Sequence, residues 1–215
     1  MKLLMIGLVA LSSSFAQASL QGRVERATEV IDARMGSSEP IPDYVIRESH
    51  CIAALRVVKV GFIFGGQGSG GMVSCRTPQG WSAPSFYTVS GVNFGIQIGV
   101  QFLETVLSVV TDYGKEVIET ATFQLGTDLS FAAGPIGQGS GSGVIPAAHV
   151  LSYQKAKGLY VGATINGFVL AHDRAANRRA FGEELSPSKI LSIPGRMAPS
   201  VLHPYVEALS TYFGE

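Results

Sequence analysis

Tyr153, Lys155 and Lys157 alternate along residues 151–157. A strand there sets all three on one face. An aromatic ring beside two ammonium groups suits a phosphate or a lipid headgroup, and Arg76 adds a guanidinium if its strand lies near. The plainer alternative is a pair of solvated lysines that guard an edge strand against pairing.

Other chemistry-bearing patterns are weaker. Glu104 and Asp128 stand in apolar surroundings and could pair as acid and base, but a structural role within the core is the more common use of such groups. Gly66-Gln67-Gly68-Ser69-Gly70-Gly71 fits the spacing of a dinucleotide loop. That site needs a helix next, and Met72-Val73-Ser74-Cys75 reads as a strand, so a hairpin turn is expected instead. His172 and Asp173 are sequence neighbours, which a strand points to opposite faces. No phosphate-binding loop and no nucleophile elbow occurs in the sequence. Four scattered histidines without metal-ligand spacing imply no metal, and nothing implies a cofactor. Cys51 and Cys75 are the only cysteines. In an oxidising compartment they are expected to pair, with free buried thiols or half a metal site as the alternatives.

These residues need elements to hold them. Leu20, Val24, Ala27, Ile31 and Met35 recur at helical spacing, with charges of both signs on the other face and Gly36 as the stop. Docking on its own domain is favoured over lying on a membrane, because the polar face carries no cationic excess. A short helix follows over residues 42–49. From Cys51 the period becomes two. Residues 92–102 alternate cleanly, and the apolar phase then slips at Phe102-Leu103, which suggests a bulge or turn. Residues 61–64, 72–76, 86–90, 105–110, 123–131, 150–157 and 159–170 read as further strands, with a turn at Lys157-Gly158. Residues 112–120, 173–181, 186–191 and 199–213 read as helices, two of them opened by Pro187 and Pro199. The Gly/Ser-rich residues 134–146 read as an exposed loop, which could lid a ligand site. Trp81 is expected to be buried, anchoring sheet to helix.

The chain has 215 residues, 46% of them hydrophobic and only 15% charged, with 26 glycines. That composition excludes disorder as the main state and favours strands and tight turns. Residues 1–18 have the order of a secretory leader: Lys2, an apolar run from Leu3 to Leu11, and small residues before a cut preceding Ser19. Losing Lys2 leaves 15 basic and 16 acidic residues, which excludes a generally basic nucleic-acid binder. Without a cysteine at the cut, a lipoprotein anchor is not expected. The expectation is one exported domain over residues 19–215, periplasmic in a Gram-negative host.

Five motifs stand in register: Gly80-Trp81-Ser82-Ala83-Pro84, Phe94-Gly95-Ile96-Gln97-Ile98-Gly99, Leu125-Gly126-Thr127-Asp128, Ala132-Ala133-Gly134-Pro135-Ile136-Gly137, and the run from Tyr153 to Gly162. Together, over residues 40–182, they resemble the SYLF domain family. Within them Trp81, Gly95, Gln97 and Asp128 are assigned structural parts. The resemblance implies a non-enzymatic lipid-binding module. Its eukaryotic members associate with phosphoinositide membranes and, in fungi, with actin; actin is not expected for an exported chain. Gln67 and Gln138 replace cations usual in the family, Gln154 a usual Ser, Asn166 a usual Glu and Glu104 a usual Asp. Arg76, Lys155 and Lys157 stand at matching positions.

The resulting expectation is an α+β fold with a mostly antiparallel, twisted, barrel-like sheet and short helices at both ends. It would bind a lipid or membrane surface with anionic headgroups. The alternatives are a small outer-membrane β-barrel, disfavoured by the helical C-terminal third, and an uncharacterised periplasmic hydrolase, for which no nucleophile constellation is visible.

Overall fold

Two long strands carry the fold. The computed structural model describes residues 20–134, 147–157 and 168–214; of residues 59–69, 92–101 and 156–157 it describes the backbone alone. Strand β1 (Cys51–Thr77) and strand β3 (Ser85–Val109) form one antiparallel ribbon, from Cys51 opposite Val109 to Val73 opposite Ser85. Strand β2 (Gly80–Trp81) returns on the end of β1. The tight turn that joins them ends at Gly80, whose φ of 92° lies in the left-handed region open to glycine.

The ribbon curls until the two arms of β1 lie side by side. The Cα atoms of Cys51 and Cys75 are 3.9 Å apart and their sulfurs are bonded. A Cβ on Gly71 would stand 2.4 Å from the Ala54 carbonyl oxygen, so only glycine allows this approach. The Tyr205 hydroxyl lies between the arms, 3.1 Å from the Met72 carbonyl and 3.3 Å from that of Ile52. The Arg76 amide donates to the His50 carbonyl at 2.7 Å.

Strand β6 (Val150–Lys157) pairs antiparallel with β3, and β5 (Phe131–Ala133) runs parallel to β6. Strand β7 (Val169–His172) pairs with β3 and with β4 (Thr122–Gln124). The product is a curled, mostly antiparallel sheet, a half-barrel within an α+β fold.

Each face of this sheet carries a buried cluster. Inside the curl, Leu55, Val57, Val73, Tyr87, Leu103 and Leu107 meet Phe123 and Leu170. Outside it, Ile52, Met72, Phe86, Val106 and Tyr153 meet the helices. The first of these, α1, spans 20–35 and seats Leu20, Val24, Ala27, Val30 and Ile31 on the sheet, the face its apolar spacing defines. Helix α2 (Asp43–Glu48) follows, and α3 (Asp112–Ile118) starts on Thr111, whose hydroxyl accepts from the Gly114 amide. Near the C-terminus come α4 (Arg174–Phe181), capped by Asp173, and α5 (Pro187–Ser192), capped by Ser186. Two 3-10 turns lead into α6 (His203–Phe213).

Several local expectations are corrected. Residues 66–71 are strand, paired with residues 87–92, and not a hairpin turn. Among them, Gly71 serves the close approach between the two arms of β1. The stretches 61–64 and 72–76 belong to one strand, β1, and 86–90, 92–102 and 105–109 to another, β3. Between Phe102 and Leu103 the register runs on without a bulge; the irregularity lies between Phe62 and Phe64. The phase slips because β3 is buried on both faces from Leu103 onward, so its apolar residues there need not keep to one parity. The expected 123–131 strand is divided between β4 and β5 by a turn at 126–128. The leader, the loop over 135–146 and the turn after Lys157 lie outside the described residues.

Candidate functional site

An open cleft of about 490 Å³ lies where the N-terminal half of α1 crosses the curled ribbon. Arg23 and Arg26 reach it from one side of the helix, three residues apart and so on neighbouring positions of its surface. Arg56 enters from the outgoing arm of β1, Gly70, Gly71 and Met72 from the returning arm, and Thr88 and Phe102 from β3. Phe102 is 43% exposed, which is unusual for a phenylalanine in the middle of a sheet.

Charges around the cleft are unequally engaged. Arg23 Nη1 lies 2.6 Å from Asp173 Oδ2, and its guanidinium sits 4.8 Å over the Phe86 ring. Burial acts to raise the Asp173 pKa, but the Ala176 amide and the Arg23 guanidinium outweigh it and hold the carboxyl below its usual value. Arg56 has only distant carboxylates, Glu29 at 3.9 Å and Glu104 at 4.0 Å. Arg26 is exposed and has no carboxylate partner among the described residues.

The strand register extends this cationic edge. Arg56 on β1 stands opposite Glu104 on β3, which stands opposite Lys155 on β6. One carboxylate is thus flanked on its row by two cations. The next row on the same face places Val58 opposite Phe102, and Phe102 opposite Lys157.

The four residues first considered for a headgroup do not converge. Lys155 is exposed at the C-terminal half of α1, beside Arg34. Lys157 is placed by its pairing with Phe102 alone. Tyr153 shares the face of Lys155, as alternation requires, but it is 2% exposed beneath α1. The Arg34 guanidinium lies 5.9 Å over its ring, Gly134 abuts its edge, and burial raises its pKa. Arg34 also donates to the Gln154 carbonyl at 2.9 Å and pins the end of α1 to β6. Arg76 belongs to a different part of the molecule. Its guanidinium stacks 4.6 Å over Trp81 and donates to the carbonyls of Ser49 and Phe213. It holds α2 and α6 against the sheet, so Tyr153 and Arg76 are not exposed headgroup ligands. Sequence could not show this, because the helices that cover both residues are remote in the chain.

Trp81 is 2% exposed, with its indole N–H donating to the Gly214 carbonyl at 2.7 Å and its ring edge-on to Phe213. Asp128 accepts from the Gln124 amide at 2.7 Å within its own turn, whereas Glu104 faces Arg56 across the ribbon. These two carboxylates serve different elements and form no acid–base pair. Gly95 and Gln97 lie in β3, where the register pairs residues 92–94 and 98–100 with β1. The cleft residues Arg23, Arg26 and Arg56 carried only a weak signal: cations on the polar side of an amphipathic stripe and on one strand parity.

The fold and the cleft together define an α+β half-barrel domain whose open edge is cationic and partly apolar. By sequence the chain belongs to the Ysc84 family, the SYLF family of the motifs above. The family model, described as "Las17-binding protein actin regulator", matches residues 90–212. Among curated relatives, the SH3 domain-containing protein PJ696.02 of Schizosaccharomyces pombe is 33% identical over 86% of this chain and 44% of its own length. LAS seventeen-binding protein 3 of Saccharomyces cerevisiae is 30% identical over 84% of this chain and 42% of its own. Human SH3 domain-containing YSC84-like protein 1 is 30% identical over 82% and 53%. The chain spans about half the length of the curated relatives it matches. No solved structure matches it.

Proposed function

We propose that this chain is an exported, non-catalytic domain that binds the anionic headgroups of a lipid surface at the edge formed by Arg26, Arg56, Phe102 and Lys155. The observation that carries the reading is the pairing of weakly engaged cations with an exposed phenylalanine around an open cleft. A cation within reach of an anionic surface contributes about 1 kcal/mol, and an aromatic ring is well placed at the headgroup level. The order of charge, apolar run and cut site in residues 1–18 supports export, with the periplasm of a Gram-negative host as the proposed compartment.

Vesicle flotation tests this. Binding to vesicles rich in phosphatidylglycerol is expected, falling as salt shortens the Debye length. Pure phosphatidylcholine should bind little. Arg26→Ala/Lys155→Ala should weaken binding by about 2 kcal/mol, roughly thirtyfold, with the melting curve unchanged. Equal flotation of variant and parent would remove this edge from the site. The names of the relatives speak of Las17 binding and actin regulation, so an actin-pelleting arm belongs in the same experiment. Saturable pelleting with actin, without vesicle binding, would overturn the lipid reading.

A further inference from the structure

The register of the β1–β3 ribbon gathers Arg56, Lys59 and Glu104 at one level. Four consecutive rows hold Arg56 opposite Glu104 opposite Lys155, Val57 opposite Leu103, Val58 opposite Phe102 opposite Lys157, and Lys59 opposite Gln101. That is a belt of four cations and one carboxylate. Beyond it, from Val60 opposite Val100 to Val73 opposite Ser85, neither strand contains an ionisable residue other than Tyr87. The rows nearest the belt pair Val60 with Val100, Phe62 with Ile98 and Phe64 with Phe94.

The curl gives this uncharged part a position. Because Gly71 abuts Ala54, the two arms of β1 diverge after Ala54 and meet again at Gly71, so the midpoint between them falls at residues 62–63. The single irregularity in the β1–β3 register lies there, between Phe62 and Phe64. Three to four residues separate Lys59 from this apex, at most about 13 Å of extended chain. Arg23 and Arg26 flank the returning arm at Gly70. Cationic positions on three strands and α1 therefore flank the base of a short fold with an uncharged sequence.

We propose that this fold-over, residues 60–66 with 92–100, is inserted into the outer part of one leaflet of an anionic bilayer while the cationic belt rests on the headgroups. Charge complementarity selects the occupant: the belt carries four cations against one carboxylate, and an anionic headgroup layer balances that excess where a neutral protein groove would not. The reach of the apex is less than half of a hydrocarbon core about 30 Å thick, so it enters and does not cross. The inference rests on the lipid reading above and adds to it a depth and an inserted element.

Depth-dependent quenching tests it. In vesicles of phosphatidylglycerol and phosphatidylcholine in equal parts, with bromine high on the acyl chains, the added emission of Phe64→Trp should be largely quenched. Trp81, buried at the seam beside α6, should stay bright in the parent protein and serves as the reference. Phe64→Asp should weaken flotation about tenfold or more, since a carboxylate is costly in hydrocarbon. Phe64→Leu should float like the parent, and circular dichroism melts check that both variants fold. Flotation with the tryptophan of Phe64→Trp unquenched would overturn insertion and leave surface binding standing. Absence of flotation by the parent protein would overturn both. An apex-dependent dimer without vesicle binding would assign the surface to a second copy and overturn the proposal.

Discussion

Arg23→Met tests whether the cleft depends on one ion pair between the two ends of the domain. Arg23 on α1 and Asp173 at the start of α4 are 150 residues apart, yet their atoms lie 2.6 Å apart. Their side chains are 19% and 16% exposed, so the pair is partly screened. A hydrogen bond to a charged group contributes about 1.5–3 kcal/mol, and the exposure argues for the lower end. The arginine also stacks on Phe86, for about another 0.5–1 kcal/mol. Methionine keeps the apolar stem, so Arg23→Met should cost about 2 kcal/mol. Asp173→Asn keeps an N-cap acceptor for the Ala176 amide and loses the charge, so about 1 kcal/mol is expected. A double-mutant cycle in urea, followed by circular dichroism, should give a coupling near 1 kcal/mol. The pH dependence has a definite sign. The folded-state pKa of Asp173 is depressed, so its stabilisation is present above the unfolded value of 3.8 and is lost as pH falls through the lower folded value. Coupling within about 0.3 kcal/mol of zero would refute the latch and leave α1 held by its apolar face and by the Arg34 bond to the Gln154 carbonyl.

Three further outcomes are expected. Cys51→Ser/Cys75→Ser frees a loop with a sequence separation of 24 and should cost about 3 kcal/mol; a parent protein equally stable with and without reductant would contradict this. Gly71→Ala drives a methyl into the Ala54 carbonyl and should cost about 1–3 kcal/mol, read as a lower melting temperature. Burial depresses the pKa of His172, Arg174 adds to this, and the Leu185 carbonyl, Asp173 and Glu184 oppose it. The unfolded chain therefore takes up the proton first, and stability should fall as pH drops below the unfolded value of 6.5 until the folded pKa is passed. His172→Gln should flatten that part of the urea-midpoint profile; an unchanged slope would assign it to other groups.

What residues can decide with their near neighbours was legible in the sequence. The stripe from Leu20 to Ile31 defined a docked helix, Ser186-Pro187 and Asp173 marked helix starts, and alternation placed Tyr153 and Lys155 on one face. Those are matters of period and capping, settled within a few residues. The family resemblance was likewise readable, because motif order survives without knowledge of contacts. Which face was covered was not legible. Tyr153 is buried because α1, more than a hundred residues earlier, lies across it, and Arg76 is engaged because α6 ends beside it. The glycines of residues 66–71 looked like a turn because glycine permits turns and close approach equally; only the curl that brings Gly71 against Ala54 chose between them. The cationic belt needed the register itself. Arg56, Glu104 and Lys155 are remote in the chain and become one row only when three strands pair, since a slip of a single residue would send each side chain to the opposite face.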